Sequence, residues 1–144
     1  MKIHQISILL ENKPGRLNTI CRILAGNQIN IVTLSLADTQ QFGIVRLIIE
    51  EWQKAQRVLE KAGYVVNVGE VVAATVPDRP GGMAEILDVV SAAGVNIEYM
   101  YAFTAHRGAS AVLIFRFDNP DAAIAALKAA GRDVLPPVDL FKNS

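Results

Sequence analysis

From Ile3 to Leu10 the chain alternates: Ile6, Ile8 and Leu10 face one way, and Gln5, Ser7 and Leu9 the other. That two-residue period predicts a strand with one face in a core. From Gly15 to Ala25 the period changes, and Leu17, Ile20, Cys21, Ile23 and Leu24 recur at three- and four-residue spacings. They make one face of a helix. Pro14 suits its first turn, where a missing N–H costs nothing. Two strands are predicted over Asn30 to Ala37 and Gly43 to Glu50, joined by the polar turn Asp38-Thr39-Gln40-Gln41. Trp52 to Ala62 reads as a second helix closed by Gly63, and Tyr64 to Val68 as a last strand.

The same order then returns. An offset of 66 residues carries Pro14 onto Pro80, Gly15 onto Gly81, Leu17 onto Met83 and Ile20 onto Ile86. It also carries Asn30 onto Asn96 and Leu47-Ile48-Ile49 onto Leu113-Ile114-Phe115; later it slips by two, with Gly63 facing Gly131. A spacing held across so many elements marks a duplication. In the second copy the pattern predicts a strand over Val71 to Val76 and a helix over Gly81 to Ala93. Strands near Val95 to Phe103 and Ala109 to Phe117, a helix over Pro120 to Ala130 and a strand over Val134 to Val138 complete it. The expected fold is α+β: two tandem βαββαβ modules of ferredoxin-like order, with antiparallel sheets and the helices on one face. The expected domains are residues 1–69 and 70–144.

Composition adds what the molecule is not built to do. Of the 144 residues 51% are hydrophobic, ample for a core. Fourteen basic residues balance fourteen acidic ones, which gives no general attraction to nucleic acid or to an anionic membrane. No apolar run approaches the roughly 18–20 residues needed to cross a bilayer. The amino end alternates like a strand and has no signal-peptide cleavage pattern, so a cytoplasmic location is expected. Cys21 sits on the apolar face of the first helix as a small hydrophobe. His4 and His106 lie far apart, without acidic or thiol neighbours at metal-ligand spacing, and His106 is placed in a solvated turn, Ala105 to Gly108. Neither a nucleophile motif nor a phosphate-binding loop is present. The expectation is a protein that is not an enzyme and uses no cofactor or metal.

The most distinctive local feature is the repeated corner, Asn12-Lys13-Pro14-Gly15 and Asp78-Arg79-Pro80-Gly81. With the order of elements and the Asn-Ile pairs at Asn30 and Asn96, it resembles the ACT domain, a small regulatory module that binds amino acids. The resemblance spans nearly the whole chain as two copies. LLENKPGRL, Leu9 to Leu17, is similar to the start of acetolactate synthase regulatory subunits and to the serine-sensing end of phosphoglycerate dehydrogenases. It implies a ligand held between two modules by Asn12, Pro14, Gly15 and Asn30 in one copy and by Asp78, Pro80, Gly81 and Asn96 in the other. Serine-sensing members carry a His two residues before the corner Asn; here Leu10 and Val76 stand there, which points away from serine.

The residue types suit a zwitterion. A helix beginning just after a tight corner offers unpaired N–H groups to a carboxylate, and glycine admits close approach. Asn can donate and accept, whereas ionised Asp only accepts and favours an ammonium. The two corners are therefore not equivalent sites. Asn/Asp-x-Pro-Gly is also ordinary turn and helix-entry chemistry. Both readings stand at this point, as they do for Asn30 and Asn96. The function expected is a stand-alone sensor, binding an amino acid or similar small molecule where ACT modules meet and assembling as a homodimer. The alternative is a regulatory subunit that docks onto a biosynthetic enzyme such as acetolactate synthase.

Overall fold

The computed structural model describes residues 1–38 and 40–142, the side chains of Asp38 and residues 104–107 apart. The chain divides into two compact units, His4–Gly69 and Met1–Ile3 with Glu70–Ser144.

The first unit contains β1 (Ile3–Glu11), α1 (Arg16–Gly26), β2 (Thr33–Asp38), β3 (Phe42–Ile48), α2 (Trp52–Lys61) and the opening of β4 (Val66–Pro77). Antiparallel ladders place β3 between β1 and β2, with Leu10 opposite Gly43 and Leu36 opposite Val45. The inward residues Ile6, Ile8 and Leu10 of β1 and Val45 and Leu47 of β3 meet Ile20 and Leu24 of α1 and Ala55 and Leu59 of α2. This is the helix-on-sheet packing that the two periods predict. Trp52 closes the core's edge and stacks on His4 with ring centroids 4.4 Å apart.

The second unit continues with the rest of β4, then α3 (Gly82–Ala92), β5 (Ile97–Arg107), β6 (Ser110–Phe117), α4 (Pro120–Ala129), β7 (Val134–Leu135) and α5 (Pro137–Phe141). β6 lies between β4 and β5, and β7 pairs with β4. Its core repeats the first: Val72, Ala74 and Val76 with Leu113, Phe115 and Phe117, under Ile86, Val90, Ala123 and Leu127. Each unit is a βαββαβ module with an antiparallel sheet, as the repeated pattern predicts.

The elements differ from the expected ones in four places. The strands expected over 64–68 and 71–76 are one, β4, because nothing at Gly69-Glu70 interrupts the extended backbone. The strand expected over 134–138 stops at Leu135, since Pro136 and Pro137 have no N–H for a ladder, and Pro137 starts the unexpected α5. β2 begins at Thr33, so Asn30 precedes the strand rather than opening it. The backbone of His106 lies in β5 opposite Ala111, and the turn falls at Gly108-Ala109; its side chain and Thr39 of the first hairpin lie outside the described residues. The outward residues Ile48 and Ile114 are buried, while Leu9 is 62% exposed.

The duplication extends to the backbone. Gly15 and Gly81 enter α1 and α3 at φ +84° and +85°. All four long helices close with paired hydrogen bonds from the two residues beyond the cap, as Gln28 N–H to Ala25 O and Ile29 N–H to Leu24 O do for α1. The left-handed residue in that motif is Gln28, Gly63, Gly94 and Gly131 in turn.

Candidate functional site

The first corner joins β1 to α1. The left-handed turn at Gly15 is its reason for being glycine; a Cβ there would meet nothing within 4 Å, but the conformation disfavours any L side chain. Helix α1 starts at Arg16, so Pro14 stands two residues ahead of it rather than in its first turn. Neither Asn12 nor Asp78 caps a helix: the N-cap positions are Gly15 and Gly81, without a side-chain bond. Asn12 instead reaches across to the β2–β3 hairpin. Its N–H donates to Gln41 O and its Nδ2 to Gln40 O, both at 2.9 Å.

Beside this corner lies a recess of about 90 Å³. Its apolar wall is Leu10 from β1, Leu17 from α1 and Leu36 from β2, and Gly43 of β3 contributes bare backbone. Asn12 and three charged residues, Glu11, Lys13 and Arg16, complete it. Lys13 Nζ lies 3.0 Å from Glu11 Oε2, and Arg16 Nη2 lies 3.8 Å from Glu11 Oε1. The Lys13 hydrogen bond, helped by the charges of Lys13 and Arg16, holds the Glu11 carboxyl below its ordinary 4.5. Two cations thus share one carboxylate. The recess has a local charge of plus one against leucine walls, a suitable surface for a small anion-bearing molecule that also carries an ammonium for Glu11.

The second corner has a different construction. At the 66-residue offset Glu11, Lys13 and Arg16 become Pro77, Arg79 and Gly82. A Cβ on Gly82 would lie 2.0 Å from Pro77 O, so the start of α3 sits directly on the end of β4. Arg79 Nη2 turns to its own helix and grips both Glu85 oxygens at 2.8 and 3.0 Å, with Arg132 Nη2 at 3.3 Å from the same carboxylate. The Arg79 hydrogen bond holds the Glu85 carboxyl below its ordinary 4.5. Asp78 N–H donates to Ala109 O, fixing the corner to the β5–β6 turn.

Of the residues expected to hold ligand, Asn12 lines the first recess, while Pro14, Gly15 and Asn30 do not. Asp78, Pro80 and Gly81 form the second corner, with Gly81 at the N-cap of α3. Asn96 lines a separate open groove at the end of α3, about 360 Å³, together with Val90, Ser91 and Gly94. Its backbone is tied to Asp118, whose Oδ1 accepts from Asn96 N–H at 3.0 Å and whose N–H donates to Asn96 O at 3.1 Å. Sequence reasoning passed over Glu11, Lys13, Arg16, Leu36 and Gly43. Charges at Glu11, Lys13 and Arg16 flank the corner and offered a signal; Leu36 and Gly43 arrive through strand register and offered none.

Comparison with known families settles the fold's identity. A family model described as an ACT domain pair matches residues 1–133. The chain belongs to the ACT domain pair family. No curated protein matches the sequence. Among solved structures, protein BT0572 from Bacteroides thetaiotaomicron is 39% identical and superposes with a TM-score of 0.90, covering 99% of this chain and 97% of that one. The regulatory subunit of aspartate kinase from Thermus thermophilus, in a ligand-free form, is 20% identical with a TM-score of 0.65, covering 89% and 90%. The corresponding subunit from Thermus flavus gives 19% and 0.64, over 90% and 94%. At these identities the aspartate kinase subunits share the ACT pair's fold. Among the described residues no helix is long and apolar enough to cross a membrane, and no group of His, Cys, Asp and Glu side chains could hold a metal ion.

Proposed function

We propose that this ACT domain pair is a regulatory sensor, not an enzyme, that binds an amino acid or a similar small zwitterion. Its two modules are residues 1–69 and 70–144, and only the first corner binds. The observation that carries this reading is the recess at that corner, where Lys13, Arg16 and Glu11 face the side chains of Leu10, Leu17 and Leu36. The ligand carboxylate goes to the two cations and its ammonium to Glu11. Pro14 and Gly15 act by shaping the corner, and Asn12 by fixing it to the hairpin. The second corner, with Asp78, Pro80 and Gly81, is a structural copy whose helix start sits on the Pro77 carbonyl, and Asn96 stands apart from it at the other end of α3. The family resemblance adds that the ligand is completed by a neighbouring module and that the chain acts as a cytoplasmic homodimer. Leu9 and Phe42, both exposed, offer apolar surface for association. Signalling requires only that the ligand prefer one conformation of the chain over another.

The test is thermal unfolding with each of the twenty amino acids, confirmed by calorimetry. A ligand at about 100 times its dissociation constant adds roughly 2.7 kcal/mol of stability. Arg16→Gln and Lys13→Gln are expected to weaken the hit about tenfold or more, a charge-assisted hydrogen bond being lost in each, and Asp78→Ala to leave it unchanged. If no amino acid stabilises the protein, the sensor reading falls. Docking onto a biosynthetic enzyme then takes its place, and light scattering decides whether the free chain is a dimer.

A further inference from the structure

We draw no further inference here: the strongest candidate, the open groove at the C-terminal end of α3 lined by Leu87, Val90, Val95 and Ile97, carries nothing because nothing in the structure shows what covers it.

Discussion

The side-chain amide of Asn12 donates a 2.9 Å hydrogen bond to the backbone carbonyl of Gln40 in the turn of the β2–β3 hairpin. Gln40 holds a positive φ of 74°, unusual outside glycine, so this bond helps to stabilise a strained turn. It also ties the corner to the hairpin that presents Leu36. Asn12→Ala is expected to cost about 1 kcal/mol in urea unfolding without any ligand, the usual net worth of such a bond. Unchanged stability would mean that Asn12 is not a strut of the corner.

The duplication makes its own stability experiment at the helix ends. Gln28 and Gly94 occupy the same left-handed position after α1 and α3, at φ 59° and 70°. An L side chain there costs roughly 1–2 kcal/mol relative to glycine. Gln28→Gly is expected to raise the melting temperature, and Gly94→Ala to lower it by a similar amount. Opposite signs at equivalent positions are the signature; the same sign at both would refute the account.

Two neighbouring glycines at the second corner should respond differently. Gly81→Ala meets open space and bears only the left-handed penalty, about 1–2 kcal/mol. Gly82→Ala places a methyl group 2.0 Å from the carbonyl oxygen of Pro77, and backbone must move to admit it. Overpacking of that kind costs about 3 kcal/mol or more. Thermal denaturation of the two variants should rank Gly82→Ala clearly below Gly81→Ala.

Acidification tests the two carboxylates. Glu11, through its hydrogen bond to Lys13, and Glu85, through its hydrogen bond to Arg79, both have folded values below the ordinary 4.5. A carboxyl lowered by folding contributes its full stabilisation above the unfolded value and loses it as pH falls through the folded one. Wild type should therefore keep its stability down to the carboxylate range and lose part of it below pH 4.5. Glu11→Gln and Glu85→Gln should each lose less between pH 6 and pH 3. Melting curves that fall in parallel for all three proteins would show that neither pair matters to folding.

Much of the fold was legible because it depends on local pattern. Alternation at Ile6, Ile8 and Leu10 marked β1, three-and-four spacing at Ile20 and Leu24 marked α1, and both reach the core as read. The 66-residue offset doubled the information, since a second copy of each element checked the first. Boundaries were read less well where proline decided them, as at Pro136-Pro137. The corner itself is legible in the sequence because Asn/Asp-x-Pro-Gly is local turn chemistry. Asn30 precedes β2 and lines no part of the first recess, and Asn96 is bound to Asp118.

By itself the sequence determined the two modules, their order of elements and the left-handed turns at Gly15 and Gly81. Periodicity and backbone conformation are properties of residues close in the chain, or repeated at one spacing. Only the tertiary structure brought together the residues that line the recess at the first corner. Leu10, Leu36 and Gly43 come together because β3 pairs with β1 on one side and β2 on the other, and register is a long-range choice. Gly82 reads in the sequence as one more turn glycine; folded, it is the point where α3 touches the carbonyl of Pro77. Its aligned residue in the first copy is Arg16, whose side chain helps line the recess. Two corners of related sequence therefore differ in the residues that sheet register and the helix start bring beside them.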